Sequence, residues 1–151
     1  MNNKILLPVV ALSIILFMGF YFLTNPSYQK SIQAKYYFEM GDYKESLVLA
    51  KEAFSKDVYN RMASTIMAQS ITALKYVSYI EMGKKHMLEI NEIAKKSDIV
   101  DGDRAKIRMI CEIMVDSYVK LAPSVVTDGS LVSDAAEYNS KFEKLLEKVT
   151  R

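Results

Sequence analysis

The chain has 151 residues, half of them hydrophobic and a quarter charged, and 20 Lys and Arg against 18 Asp and Glu leave a formal net charge of +2. The two signs interleave, with no basic stripe of the kind that tracks phosphates, which argues against a nucleic-acid partner. One cysteine, Cys111, excludes a disulfide within the chain.

Ile5 to Leu23 is an unbroken run of 19 residues without a charge. As a helix it reaches roughly 28 Å, close to the hydrocarbon thickness of a bilayer. A cleaved signal peptide would have a shorter apolar core and small residues at its end. Here the run ends in Phe20, Tyr21, Phe22 and Leu23, and no cysteine follows it as a lipoprotein site. Residues 1–24 therefore read as an uncleaved transmembrane anchor, with Pro8 in its first turn and Tyr21 at the membrane–water interface. Lys4 flanks one side, Lys30 and Lys35 the other, so positive charge is nearly balanced. A short polar N-terminus is a poor translocated segment, which favours an N-in anchor with the rest exported. Abundant Lys, Ile and Met with no Trp fit a bacterial chain, its C-terminal domain in the periplasm.

Residues 25–151 are long enough to bury one core. A helix is expected from about Ser27 to Met40, closed by Gly41 in a left-handed conformation. Asp42 with Glu45 three residues later forms a capping-box signature for the next helix, running to about Lys56. Asp57 is the next possible N-cap. Residues 58–82 read as a long helix, continued by or followed by another over 84–97, and Gly83, Gly102 and Gly129 stand at intervals that suit helix ends. Asp101 or Asp103 starts a helix over 104–121, stopping before Pro123. After a polar link at 123–130, Asp134 with Glu137 opens a last helix over 134–149. Apart from a weak alternation at Val125–Val126, no period-two pattern persists, so the class is all-α, with helical hairpins side by side.

One segment resembles a known family. Tyr37-Phe38-Glu39-Met40-Gly41-Asp42-Tyr43-Lys44-Glu45-Ser46, with Ala50, Ala53, Phe54 and Asp57 after it and Ala34 before it, is similar to the second half of a tetratricopeptide repeat. Gly41 permits the turn between helices, Tyr43 packs across the hairpin, and Ser46, Ala50 and Ala53 let two helices approach closely. Lys30 stands where the family has a large aromatic residue, Ser46 replaces Ala, and Val58 replaces Pro. One repeat length on, Ala68 occupies the small position, and Glu81-Met82-Gly83-Lys84-Lys85 keeps an echo of the turn. The resemblance implies a degenerate TPR-like array of about five to six helices after the anchor. It implies a scaffold or adapter whose helix pairs receive a peptide or another protein's helix, with Ala34, Tyr37, Gly41, Tyr43, Ala50 and Ala53 as hairpin residues.

Candidate chemistry is sparse. His86 has no neighbouring ligands in sequence and reads as a surface helical residue. Cys111, within Met109-Ile110-Cys111-Glu112-Ile113-Met114, reads as a small buried hydrophobe. Asp98, Asp101, Gly102 and Asp103 lack the spacing of a calcium loop and suit turns and caps. Glu89 and Glu92 share a solvated helix face. No phosphate loop or activated nucleophile is present in the pattern. Catalytic, cofactor and metal sites are therefore expected to be absent, and the chain is not expected to be an enzyme. Lys84–Lys85 and Lys95–Lys96 read as solvated helix ends rather than lipid-headgroup contacts. The seven methionines after the anchor fit an imperfect core better than a binding surface.

In the last helix Ala135, Tyr138, Phe142, Leu145 and Val149 form one apolar stripe, flanked by Glu137–Lys141 and Glu147–Arg151 pairs. The stripe either caps its own domain, the favoured reading, or docks on a partner or a second copy through Tyr138, Phe142, Leu145 and Val149. The expected function is a membrane-anchored scaffold for other proteins of an envelope assembly such as a flagellar motor or secretion apparatus. The rivals are a cytosol-facing peptide receptor and an accessory subunit or chaperone of a membrane complex.

Overall fold

An apolar helix gives way to a polar one at Asn25. This is an extended residue (φ −77°, ψ 116°) whose side chain accepts the amides of Ser27 and Tyr28, and Pro26 follows as the first helical residue, where its missing N–H costs nothing. The structure, a computed structural model, describes residues 3–150, with side chains from Leu6. It is all-α: among the described residues there are six helices and no strand, Val125–Val126 included. The helices are α1 (Asn3–Thr24), α2 (Pro26–Glu39), α3 (Tyr43–Lys56), α4 (Arg61–Ala94), α5 (Asp101–Val119) and α6 (Gly129–Thr150). The flanking charge of Lys4 and the Glu147–Arg151 pair fall outside the described side chains.

Leu6–Thr24 of α1 is a 19-residue stretch of mean hydropathy 2.5 with none of it buried in protein, long and apolar enough to cross a membrane. Because α1 begins at Asn3, Pro8 lies beyond its first turn. Most of these side chains are uncovered by protein: Leu7, Phe17 and Leu23 are each more than 70% exposed.

The chain divides into two compact units, Met1–Ser70 and Ile71–Arg151. Helix α4 gives residues 61–70 to the first and 71–94 to the second.

In the first unit, α2 and α3 form an antiparallel hairpin. Gly41 closes α2 at φ +80°, the one positive φ among the described residues. Its amide donates to Phe38 O, and the Asp42 amide to Tyr37 O at 2.9 Å, the paired bonds of a Schellman closure. Asp42 then caps α3 by accepting the Glu45 amide at 3.1 Å. The capping box is one-sided, because the Asp42 amide is already bound to Tyr37 O. Ala34, Ala50 and Ala53 have no exposed surface, and Leu49 and Ile66 pack with Ala34 and Ala50. Phe38 meets Tyr43 edge-on at 5.3 Å.

The second unit holds a larger apolar core from α4, α5 and α6, including Tyr79, Ile90, Ile110, Cys111, Met114 and Phe142. The apolar stripe of α6 lies in this core: Ala135 and Phe142 are fully buried, and Tyr138, Leu145 and Val149 pack against them. Phe142 is thus unavailable for docking, and the stripe caps its own unit. Its C-terminal end is held by the Arg108 guanidinium, which donates to Val149 O at 3.1 Å. The expected Glu137–Lys141 pair forms at 2.6 Å.

Several helix boundaries differ from the sequence expectation. Gly83 does not end a helix; it is buried inside α4, which continues to Ala94. Gly102 and Gly129 stand in the first turns of α5 and α6. Asp57 ends α3 and accepts the Tyr59 amide, while Asn60 caps α4 by accepting the Ala63 amide. Helix α5 starts at Asp101 after Val100, with no side-chain cap, and Asp103 instead binds Lys96 at 2.7 Å. Asp128, not Asp134, opens α6, accepting the Ser130 amide at 2.9 Å. For α4 and α6 a polar residue a few positions from the expected one supplies the cap. Ala68 is exposed, and the small buried residues of α4 include Ala63, Ser70 and Ala73.

Candidate functional site

The side of α2 turned to α3 and α4 is polar where a helix interface is usually apolar. Ser27, Ser31, Ser46, Asn60 and Ser70 are all at most 1% exposed. Ser27 Oγ donates to Ala53 O at 2.8 Å, and Ser31 Oγ to Ser27 O at 2.9 Å. Both hydroxyl oxygens then accept from the Asn60 Nδ2 amide, at 2.9 and 2.8 Å. Higher in the hairpin, Ser46 Oγ lies 2.8 Å from Ala34 O, to which it donates, and 2.9 Å from Ser70 Oγ. Buried polar groups cost stability unless paired. Here every member is paired, so the seam fixes the rotation of the three helices about their axes and thereby which residues of α2 face out.

Those outward residues are Ile32, Gln33, Tyr36 and Tyr37. Ile32 is 55% and Tyr36 61% exposed. With Lys30, Glu45 and Leu49 they line an open groove of about 640 Å³ along the hairpin. On the other flank of α2, Phe38, Met62 and Ile66 floor a second hollow of about 350 Å³ whose rim carries Lys35, Glu39 and Arg61. Lys30, at the position where the resembled family carries an aromatic residue, bridges to Glu52 on α3 at 3.1 Å. That contact, with Lys56 next to it, holds the Glu52 carboxyl below its ordinary value.

Of the expected hairpin residues, Ala34, Gly41, Tyr43, Ala50 and Ala53 meet in this unit. Tyr37 contributes its carbonyl to the turn, but its ring lies outside against Tyr36, and Phe38 takes the place against Tyr43. The serine seam was not anticipated. Ser27, Ser31 and Ala34 recur at four and three residues, which is the spacing of one helix face.

Cys111, His86 and Tyr79 lie in the second unit. Cys111 has no exposed surface, and burial, with Glu112 nearby, pushes its thiol up to about 11, which keeps it from acting as a thiolate. His86 is half-buried with Nδ1 3.4 Å from Glu89 Oε2, and Glu89 also pairs with Lys106 at 2.6 Å. Lys106 is the main cause of the lowered Glu89 carboxyl. No group of three His, Cys, Asp or Glu side chains able to hold a metal occurs among the described residues. Tyr79 is buried beside Tyr118, its hydroxyl without a hydrogen-bond partner and raised to about 12 by burial, then by Tyr118 and Glu143. Of the methionines, Met114 is buried and Met67 and Met87 pack on the cores, whereas Met40, Met62, Met82 and Met109 are exposed. Lys84 and Lys85 lie mid-helix in α4.

Comparison with protein-family models, curated proteins and solved structures finds no match to this chain.

Proposed function

We propose that this protein is a single-pass, membrane-anchored scaffold, non-enzymatic and TPR-like, that binds another protein along the outer face of α2. The observation that carries the reading is the two-sidedness of α2. One side is locked by the buried Ser27–Ser31–Asn60 bonds, and the other presents Ile32 and Tyr36 beside a groove. A rigid exposed aromatic costs little conformational entropy when it is covered, so such residues suit binding hot spots. Anchoring by α1 raises the local concentration of this surface at the membrane, which strengthens a weak contact. The reading extends to a bacterial inner membrane with residues 25–151 in the periplasm, serving an envelope assembly.

The test is crosslinking of the tagged full-length protein in its native membrane, followed by mass spectrometry, with wild type compared with Ile32→Ala/Tyr36→Ala. A recurrent partner set crosslinked through α2 and lost in the double variant is the expected result. The same partners recovered equally from both forms would remove the binding role from this face. A reporter fused after residue 151 reads the side of the membrane, and a cytosolic signal would replace the periplasmic reading with a peptide receptor facing the cytosol.

A further inference from the structure

The hairpin has two ends, and they differ in their distance from the anchor. Ser27, at the start of α2, hydrogen-bonds to Ala53 near the end of α3 and accepts from Asn60 at the start of α4. The α3–α4 turn therefore lies beside the junction of α1 and α2. Tyr21, Asn25 and Pro26 from that junction share a hollow with Lys56 and Asp57 from the turn. The other turn, Met40 to Asp42, is separated from it by the 14 residues of α2, about 21 Å of helix.

The near turn is unusually apolar for its exposure. Val58 is 58% and Tyr59 88% exposed, and neither joins a core. The turn is held in shape, because Asp57 Oδ1 accepts the Tyr59 amide at 2.9 Å and the Asn60 amide donates to Asp57 O at 3.1 Å. At the end of α1, Phe22 and Tyr28 stack edge-on at 4.7 Å with Tyr21 next to both, an aromatic group at the depth where a spanning helix leaves the hydrocarbon. Tyrosine, apolar in its ring and polar at its tip, partitions to that depth. Lys56 and Asp57 carry opposite charges, so the attraction is aromatic and apolar partition rather than net charge.

We infer that Val58 and Tyr59 form a second membrane contact, resting in the headgroup layer beside the end of α1 and fixing how the α2–α3 hairpin stands on the bilayer. This inference rests on α1 spanning the membrane. The exposed α2 face would then be presented at a constant angle rather than on a free swivel at Asn25.

The chain contains no tryptophan, so single probes can be introduced cleanly. Full-length protein carrying Tyr59→Trp, Met40→Trp or Phe17→Trp, all at exposed positions, is reconstituted in phosphatidylcholine vesicles brominated near the headgroup end of the acyl chains. A parallel set of vesicles is brominated near the bilayer centre. The expected result is quenching of the Tyr59→Trp probe by the shallow bromines, quenching of the Phe17→Trp probe by the deep ones, and full emission from the Met40→Trp probe. Quenching at Phe17→Trp with none at Tyr59→Trp overturns the second contact and leaves the anchor standing. Equal quenching at Tyr59→Trp and Met40→Trp overturns it as well, since the two ends would then not differ. No quenching at Phe17→Trp overturns the anchor, and the inference with it.

Discussion

A Cβ built on Gly83 would lie 2.9 Å from Cδ1 and 3.0 Å from Cγ of Tyr138, so α6 touches the bare backbone of α4. Gly83→Ala would gain up to about 1 kcal/mol of helix propensity but must push back the root of the Tyr138 side chain, an overpacking that costs about 1–3 kcal/mol. A net loss of about 1 kcal/mol is expected, read as a lower melting temperature of the full chain in detergent. In a Tyr138→Ala background the same change should be neutral or stabilising. A stabilising effect of Gly83→Ala in the wild type would refute the contact as the reason for the glycine.

At Gly41 the constraint is conformational rather than steric. No heavy atom would lie within 4 Å of an added Cβ, but φ is +80°. Gly41→Ala should therefore cost only the left-handed backbone penalty, about 1–2 kcal/mol. Gly41→Asn should cost less and Gly41→Val more. Chemical denaturation of the three variants checks the order. Equal stability of all three would mean that the turn relaxes out of its left-handed geometry.

Asn60 makes a sharper demand. The protons of Ser27 and Ser31 are already donated to Ala53 O and Ser27 O, so both hydroxyl oxygens can only accept from Asn60. Asn60→Asp replaces the donor by a carboxylate facing two acceptors in a buried site. A loss of about 3 kcal/mol at neutral pH is expected. Because the buried carboxyl binds its proton more readily folded than unfolded, part of that loss should be recovered as the pH falls toward 4. Denaturation midpoints at pH 7 and pH 5 test this, and a loss independent of pH would argue against the described orientation of the Asn60 amide.

Cys111 provides a pH reading from the second unit. Its thiol is raised from 9.0 to about 11, chiefly by burial. A group whose folded value is raised contributes stability that is complete below the unfolded value and is lost as the pH rises toward the folded one. The contribution of Cys111 should therefore be intact at pH 8 and decline between pH 9 and 11. Cys111→Ala should flatten that part of the profile. At pH 8 the native thiol should react with a maleimide about a hundredfold or more slowly than the unfolded one. Rapid labelling of native protein would show that the site opens readily.

What could be read before folding was what depends on neighbours in sequence. The 19-residue run of α1 carries no charge and is strongly apolar on average, so its length and character need no tertiary information. Gly41 with Asp42 announced a turn because a left-handed residue and a cap act within one turn of the chain. The helix starts were harder. Asp57, Asp103 and Asp134 are as suited to capping as Asn60 and Asp128; the fold turns Asn60 inward and pairs Asp103 with Lys96, neither of which the local sequence contains.

The sequence by itself determined that this chain is helical, that it begins with a membrane-length apolar helix, and that residues 40–42 join two helices. Those are properties of local conformation and of hydrophobic length. Only the tertiary structure decided that Gly83 is a contact and not a break, that the α6 stripe is spent inside its own unit, and that serines and Asn60 form the seam behind α2. Each of these rests on a partner far away in the chain, such as Tyr138 for Gly83 or Ser27 for Asn60. The energy of a buried contact depends on what fills the other side, which spacing along one helix does not contain.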